Sequence, residues 1–519
     1  MHKSTHPTKV PSGLQDYLKK KSQYLGGKDN FLIIAATLFA NLEMNTMNQS
    51  ENNASLDRSI GLNLAIILMI SSIIGSGVFK KVAPMTAELQ SPFWVLLAWI
   101  VAGIVSLAGA LSVAELSGQI ADSGGAYVFL RAIYGRAVAF FFGWGNFAVI
   151  RTASISSIAY VFAESVHALV SIPEAPAEWS ALSLGGIIFP FQNLGVKAIA
   201  IALVLFLTLI NYRGLKHGST LSRYATGTVV ASLVVVFFLG VFGGAGKWEN
   251  LMANAAGFTE LKSNNFEFVA VFFSAMLAAF WAYEGWITLS FVGGEIKNPH
   301  RNLPLAIFFG MLGVIAIYLL VNFSYLYVLP AEEMIALHES QNKVAAIAVI
   351  ERIVGPVGTL FIAGLIIIST FGCTNTTILM AARLYYSMAK NGEFFKKAGE
   401  VHPKFHTPGN ALLMQGAWAC VLILSGSFDQ LTDMLIFASF IFYGLCGFGV
   451  FVMRKRNGGP PATYRTPLYP VLPAVFVLFC IALVIITLYN RPGESVIGLA
   501  LILTGLVPYY LWRGRVAGS

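Results

Sequence analysis

Twelve long apolar runs dominate this chain, and they restrict its backbone more than any other feature. A hydrocarbon layer about 30 Å thick takes roughly twenty apolar residues to cross as a helix. Inside it every backbone N–H and C=O must be paired within the protein, so a chain built of such runs folds as a set of membrane helices. The predicted spans are 60–83, 93–117, 136–166, 194–212, 222–243, 267–292, 303–329, 355–386, 410–426, 430–453, 468–489 and 495–512. Composition agrees: a mean hydropathy of +0.70 and only 11% charged residues over 519 positions describe an all-α, multi-pass membrane protein.

The formal charge of +9 does not indicate nucleic acid, because the basic residues cluster between spans on one side. The predicted loops and tail on that side hold eighteen lysines and arginines, against eight on the other. The positive-inside rule then puts both termini in the cytoplasm, as expected for a cell-membrane protein in contact with the lipid bilayer. All four cysteines, Cys373, Cys420, Cys446 and Cys480, lie in apolar stretches, so no disulfide framework is expected. His402 and His406 are four residues apart in a proline-broken loop without acidic companions; no metal site and no cofactor are expected. Residues 1–57 read as an upstream extension, disordered or interfacial, with residues 1–46 a candidate untranslated stretch: the apolar stretch 31–42 is too short to span, and no cleavage site suggests a signal peptide.

Two spans are interrupted in mid-course. The first contains Ile74-Gly75-Ser76-Gly77-Val78, and glycine in a helix interior costs about 1 kcal/mol relative to alanine. Close packing of small residues is one reading of that segment. The other is an unwound backbone lining a cavity, its amides and half-helix dipole facing a small anion. The sixth span contains Phe280-Trp281-Ala282-Tyr283-Glu284-Gly285-Trp286, a carboxylate and a glycine at membrane depth. Spans one and six each open a set of five helices, and five being odd, the sets have opposite topology. Broken helices at matching positions of inverted halves mark a midplane transport site. The domains follow: 58–245 and 246–456 as the two repeats, 457–519 as two further spans with a tail.

The same residues carry a family resemblance. Gly75-Ser76-Gly77-Val78-Phe79, Glu115-Leu116 through Ser123-Gly124-Gly125-Ala126-Tyr127, Ile150-Arg151 with Ala153-Ser154, Tyr283-Glu284-Gly285-Trp286, Glu295-Ile296-Lys297-Asn298-Pro299, Arg301-Asn302-Leu303-Pro304, Ala382-Arg383 to Asn391-Gly392, Thr407-Pro408 and Phe442-Tyr443-Gly444 occur in this order. Together they resemble the amino acid–polyamine–organocation transporters, and within them the L-type amino acid transporter branch, over residues from about 58 to 513. The resemblance implies a LeuT-type fold of five plus five helices with two more at the C-terminus. It also implies alternating-access transport or exchange of α-amino acids.

An α-amino acid offers a carboxylate and an ammonium. The amides of Ser76, Gly77 and Val78, flanked by Ile74 and Gly75, suit the first; carbonyls freed around Phe280, Trp281, Tyr283, Glu284 and Gly285 suit the second. The resemblance places Trp281 as an aromatic closing over the substrate from outside. Glu284 has three open roles: pairing with Arg151, carrying a proton, or reading the substrate side chain. Glu295, Arg383 and Arg131 sit at cytoplasmic helix ends and read as an inner salt-bridge network, with a solvated structural role as the alternative. Phe437, Phe440 and Tyr443 form an aromatic face for a side-chain pocket or for lipid packing.

Two departures from the family matter. Animal members bind a heavy chain through a cysteine in the loop between spans three and four; residues 167–193 contain none, so no such partner is expected. Sodium-independent relatives carry a lysine in span five, where this chain aligns Val229. Either sodium occupies that place, held by span-one carbonyls and hydroxyls such as Ser369 or Thr370, or water and Thr228 satisfy the carbonyls. Cation-independent exchange is the favoured reading; a sodium- or proton-coupled amino acid or polyamine carrier is the alternative. A membrane-embedded enzyme lacks its constellation, because no histidine falls inside a span except His167 at an outer end.

Overall fold

Helices follow the apolar runs. The computed structural model describes residues 56, 58–120, 122–170, 172–180, 182–183, 189–339, 344–426, 428–456 and 464–516, and the N-terminal extension 1–55 lies outside them. Ten helices are long and apolar enough to cross a membrane, two shorter apolar ones stand at the places of spans one and nine, and no strand occurs among the described residues. In chain order they are α1 (Leu62–Ile73), α2 (Pro92–Gln119), α3 (Arg136–Leu169), α4 (Leu194–Tyr212), α5 (Leu215–Phe242), α6 (Asn265–Tyr283), α7 (Pro299–Val328), α8 (Val357–Lys390), α9 (Gly409–Ser425), α10 (Phe428–Arg456), α11 (Val471–Asn490) and α12 (Pro492–Trp512).

The differences from the expected spans have local causes. The first span is not one helix to residue 83: α1 stops at Ile73, and helix resumes over Gly77–Lys80 and Val82–Leu89. Helix α5 begins seven residues before residue 222, because its first two turns carry Lys216, His217 and Ser219, which hydropathy alone discards. The sixth span ends as α6 at Tyr283 and continues as a short 3-10 turn, Thr288–Phe291. Helix α3 contains a π-helical turn, Asn146–Ile150, that no composition signal announces.

The helices wrap a buried centre. Helix α2 packs on α7, α3 on α8, and α1 against α5 and α7, so both interrupted segments lie among long helices rather than at the periphery. Phenylalanines, leucines and valines on α4, α5, α11 and α12 face outward, as expected for helices solvated by lipid. Ile60, just before α1, pairs its backbone with Glu295 and Lys297, and Gly124 donates to the Phe291 carbonyl. Backbone hydrogen bonds thus seal the end of the bundle carrying Glu295, here called the basic end.

Candidate functional site

Ending a helix in an apolar interior orphans up to four carbonyls and four amides. At the α1 break Ile74 turns extended, with ψ of 94°. Neighbouring helices satisfy the carbonyls with neutral donors. The Tyr318 hydroxyl reaches Ile73 at 3.1 Å, Ser369 Oγ reaches Ile74 at 3.3 Å and Gly75 at 3.0 Å, and the Cys373 thiol lies 3.7 Å from the Ser72 oxygen. The amides of Ser76, Gly77 and Val78 open the resumed helix, the positions that lack intrahelical acceptors. Beside them Ser76 Oγ is buried without a hydrogen-bond partner. Gly77 has a second role: a Cβ there would stand 2.5 Å from Ala282 Cβ and 2.7 Å from its Cα.

The α6 break faces it. Glu284 is extended and Gly285 takes a φ of +118°, a conformation L-residues avoid, with the Ser72 carbonyl oxygen where a Cβ would go. Ser72 Oγ donates to the Gly285 carbonyl at 3.3 Å. Of the carbonyls expected to be free here, Trp281's accepts the Glu284 amide at 3.2 Å, whereas that of Ala282, which sequence reading passed over, accepts from Tyr318 at 3.0 Å. The Trp281 ring is 9% exposed, with Lys81 Nζ 5.0 Å from its centroid, and it lies against Gly77 at the end opposite Glu295.

Arg151 and Glu284 form a bidentate pair across α3 and α6, at 2.6 and 3.0 Å. All five guanidinium protons are used: two on Glu284, one each on Thr288 Oγ1 at 2.9 Å, Tyr443 Oη at 3.0 Å and Asn146 Oδ1 at 3.3 Å. Tyr443 in turn donates to Glu284. The π-turn supplies Asn146 five residues before Arg151 and turns the arginine inward, a use common for π-bulges at functional sites. Of the three roles left open for Glu284, the geometry realises the pairing with Arg151. Phe280 and Phe440, centroids 4.9 Å apart, and Tyr443 against Trp286, at 4.7 Å, form an aromatic wall beside the pair. Phe437, Phe440 and Tyr443 are all buried, which removes the lipid-facing alternative.

At the basic end the expected network divides. Glu295 and Arg383 pair at 2.7 and 3.2 Å, both buried. Arg131 does not join them. It stands 3.6 Å from Glu393, which Arg136 approaches at 3.3 Å and to which Tyr127 donates at 2.7 Å. Burial pushes the Glu393 carboxyl up from its ordinary value, against the downward pull of the Tyr127 hydrogen bond and the two arginines. A third pair, Arg454–Glu115 at 2.7 Å, is closed by the Thr466 amide. Sequence reading missed Glu393 and Glu115 as partners because each meets residues hundreds of positions away, or in another loop.

Val229 lies against the α1 break. With Ser71, Ile74, Ala225, Thr226, Ser369 and Gly372 it lines a cavity of about 10 Å³, the size of one water molecule. Thr226 Oγ1 is buried there without a partner. Two expectations are corrected. Thr370 donates to Ile366 and Ile367 within its own helix and does not reach the cavity, and Thr228 points outward from α5. The helical period puts Thr226, three residues before Val229, on the inner face instead.

Two interrupted helices thus meet at the buried centre of the membrane bundle, the kind of place where broken helices line the binding site of a carrier. Residues 60–508 match the family model described as amino acid permease. The chain belongs to this family, a multi-pass membrane transporter and not an enzyme. It is 35% identical to the serine/threonine exchanger SteT of Bacillus subtilis, over 90% of this chain and 99% of that protein. It is 30% identical to the human b(0,+)-type amino acid transporter 1, over 91% of each, and 26% identical to the human cystine/glutamate transporter, over 89% of this chain and 86% of that one.

Proposed function

We propose that this protein exchanges small neutral α-amino acids, serine and threonine among them, across the cell membrane by alternating access. Similarity to a serine/threonine exchanger supports the substrate class. The single observation that carries the reading is the direct apposition of the two breaks, Gly77 against Ala282 and Ser72 against Gly285. The carboxylate lies on the Ser76, Gly77 and Val78 amides with Ser76 Oγ as a further donor, and the ammonium on the carbonyl end of α6. Because Arg151 saturates Glu284, the side-chain subsite presents a neutral pair and hydroxyls, which favours polar neutral side chains over cationic ones.

The two sets of five helices are inverted repeats, and the packing of α2 on α7 and α3 on α8 supports this, since these are equivalent members of the two sets. The basic end, with Glu295–Arg383 and the Glu393 cluster, is the cytoplasmic gate, and Trp281 closes the opposite side. No heavy-chain partner is required. Exchange is independent of sodium: Ser369 and Tyr318 already serve the α1 carbonyls, and the cavity at Val229 accommodates water. Purified protein in liposomes loaded with L-serine should take up labelled L-serine or L-threonine equally in sodium and choline, and only with amino acid inside. Uptake that collapses in choline, or proceeds from empty liposomes, would favour the ion-coupled alternative.

A further inference from the structure

Tyr318, on α7, is wholly buried at the level of both breaks. Its one hydroxyl proton is shared between the carbonyl oxygens of Ile73, the last residue of α1, and Ala282, in the last turn of α6. Both oxygens belong to the negative ends of half-helices, so without a donor between them they repel and stay unpaired in a dry interior. The ring cannot swing away. It packs edge-on to Trp99 at 5.6 Å and tilted on Tyr283 at 5.1 Å, while the Tyr283 hydroxyl is tied to the Trp99 carbonyl at 3.3 Å. This aromatic triangle joins α2, α6 and α7, and its one hydroxyl between the breaks is that of Tyr318.

We propose that Tyr318 is a positioning residue that sets the separation between the amides of the α1 break and the carbonyls of the α6 break, and so selects α-amino acids over β-amino acids. The inference rests on the substrate site proposed above. An α-amino acid carries carboxylate and ammonium on one carbon; a β-amino acid adds one carbon–carbon bond, about 1.5 Å, between them. Two breaks pinned to a common hydroxyl cannot widen by that amount. Free of it, they can shift relative to one another, because the other ties between them include one long hydrogen bond, Ser72 to Gly285, and van der Waals contacts such as Gly77 on Ala282.

The test compares exchange of external L-serine and β-alanine into liposomes loaded with L-serine, for the full-length wild type, Tyr318→Phe and Tyr325→Phe. Tyr325, seven residues on along the same helix, has a buried hydroxyl without a hydrogen-bond partner, so its loss controls for removing the same atom. Wild type and Tyr325→Phe should discriminate strongly for L-serine. Tyr318→Phe should lower the L-serine to β-alanine ratio of kcat/KM by about tenfold, the effect of losing one well-placed buried hydrogen bond, chiefly through a raised KM for L-serine. A folded Tyr318→Phe protein with the wild-type ratio, or a wild type that does not discriminate, overturns the proposal. If the phenylalanine variant does not insert, 3-fluorotyrosine at residue 318 keeps ring and hydroxyl while donating more strongly. The ratio should then rise, and an unchanged or lower ratio overturns the proposal. Wild type that exchanges no amino acid overturns the reading of the protein itself, and the role of Tyr318 with it.

Discussion

The two helix breaks face the same physical problem and solve it differently. At α1 the orphaned carbonyls are taken by neutral groups from α7 and α8: Tyr318, Ser369 and Cys373. At α6 the reversal is made by a left-handed glycine and a carboxylate, and the carboxylate is neutralised by an arginine from α3 and accepts a further hydrogen bond from a tyrosine of α10. The α1 break therefore leaves its amide end available to an anion, whereas the α6 break has its only charge already consumed. The contrast teaches that a broken helix in a bilayer is not a local defect. Each break is completed by helices far away in sequence, so its specificity is set by what those helices leave unpaired.

The largest effect should come from the backbone of α6. In Gly285→Ala the new Cβ meets the Ser72 carbonyl in a backbone conformation that alanine resists. Loss of monodisperse protein on size-exclusion chromatography is expected. At α1, Gly77→Val meets Ala282 and should abolish exchange. If Gly285→Ala were tolerated while Gly77→Val was not, the α1 break alone would be the strict one.

Next in size is the charge at α6. Glu284→Gln leaves Arg151 buried with a neutral partner, a change that typically costs about 3–5 kcal/mol. The measurement is thermal stability in detergent, alongside uptake of neutral and cationic amino acids between about pH 5.5 and 8, a range that brackets the ordinary histidine value and lies above that of an ordinary carboxyl. Pairing predicts a large fall in stability, and an Arg151→Met/Glu284→Gln double variant more stable than Glu284→Gln alone. Unchanged stability with a shifted pH profile would make Glu284 a proton carrier and erase the contrast between the breaks.

The smallest expected effect sharpens the α1 side. Ser369→Ala removes the donor to Ile74 and Gly75 and should cost about 1–3 kcal/mol, because the carbonyls are left buried. Thr370→Ala loses only a bond within α8 and should cost clearly less. Equal losses for the two would show that water, not Ser369, serves the α1 carbonyls.

What could be read from sequence was one-dimensional. The helices lie where the apolar runs are, and both breaks stand at Gly75–Gly77 and Glu284–Gly285, because hydropathy, glycine and a carboxylate at membrane depth act on the segment that contains them. Arg151 and Glu284 were legible as candidate partners for the same reason: two opposite charges in an apolar medium need each other. The misreadings were matters of direction. Thr228 and Thr370 were chosen by type, yet the helical period turns one outward and the other onto its own helix, while Thr226 and Ser369 face the break.

Composition and the order of apolar and broken segments determined by themselves that this chain is a membrane carrier with two interrupted helices, since each of those facts is a property of a short stretch in a low-dielectric solvent. Only the tertiary structure decided how the breaks are completed. The π-turn before Arg151, the placing of Tyr318 between Ile73 and Ala282, and the split of the basic end into Glu295–Arg383 and the Glu393 cluster all join residues up to several hundred positions apart. Hydrogen bonds and ion pairs act over about 3 Å, and distances that short are fixed by helix packing, which no single stretch of sequence contains.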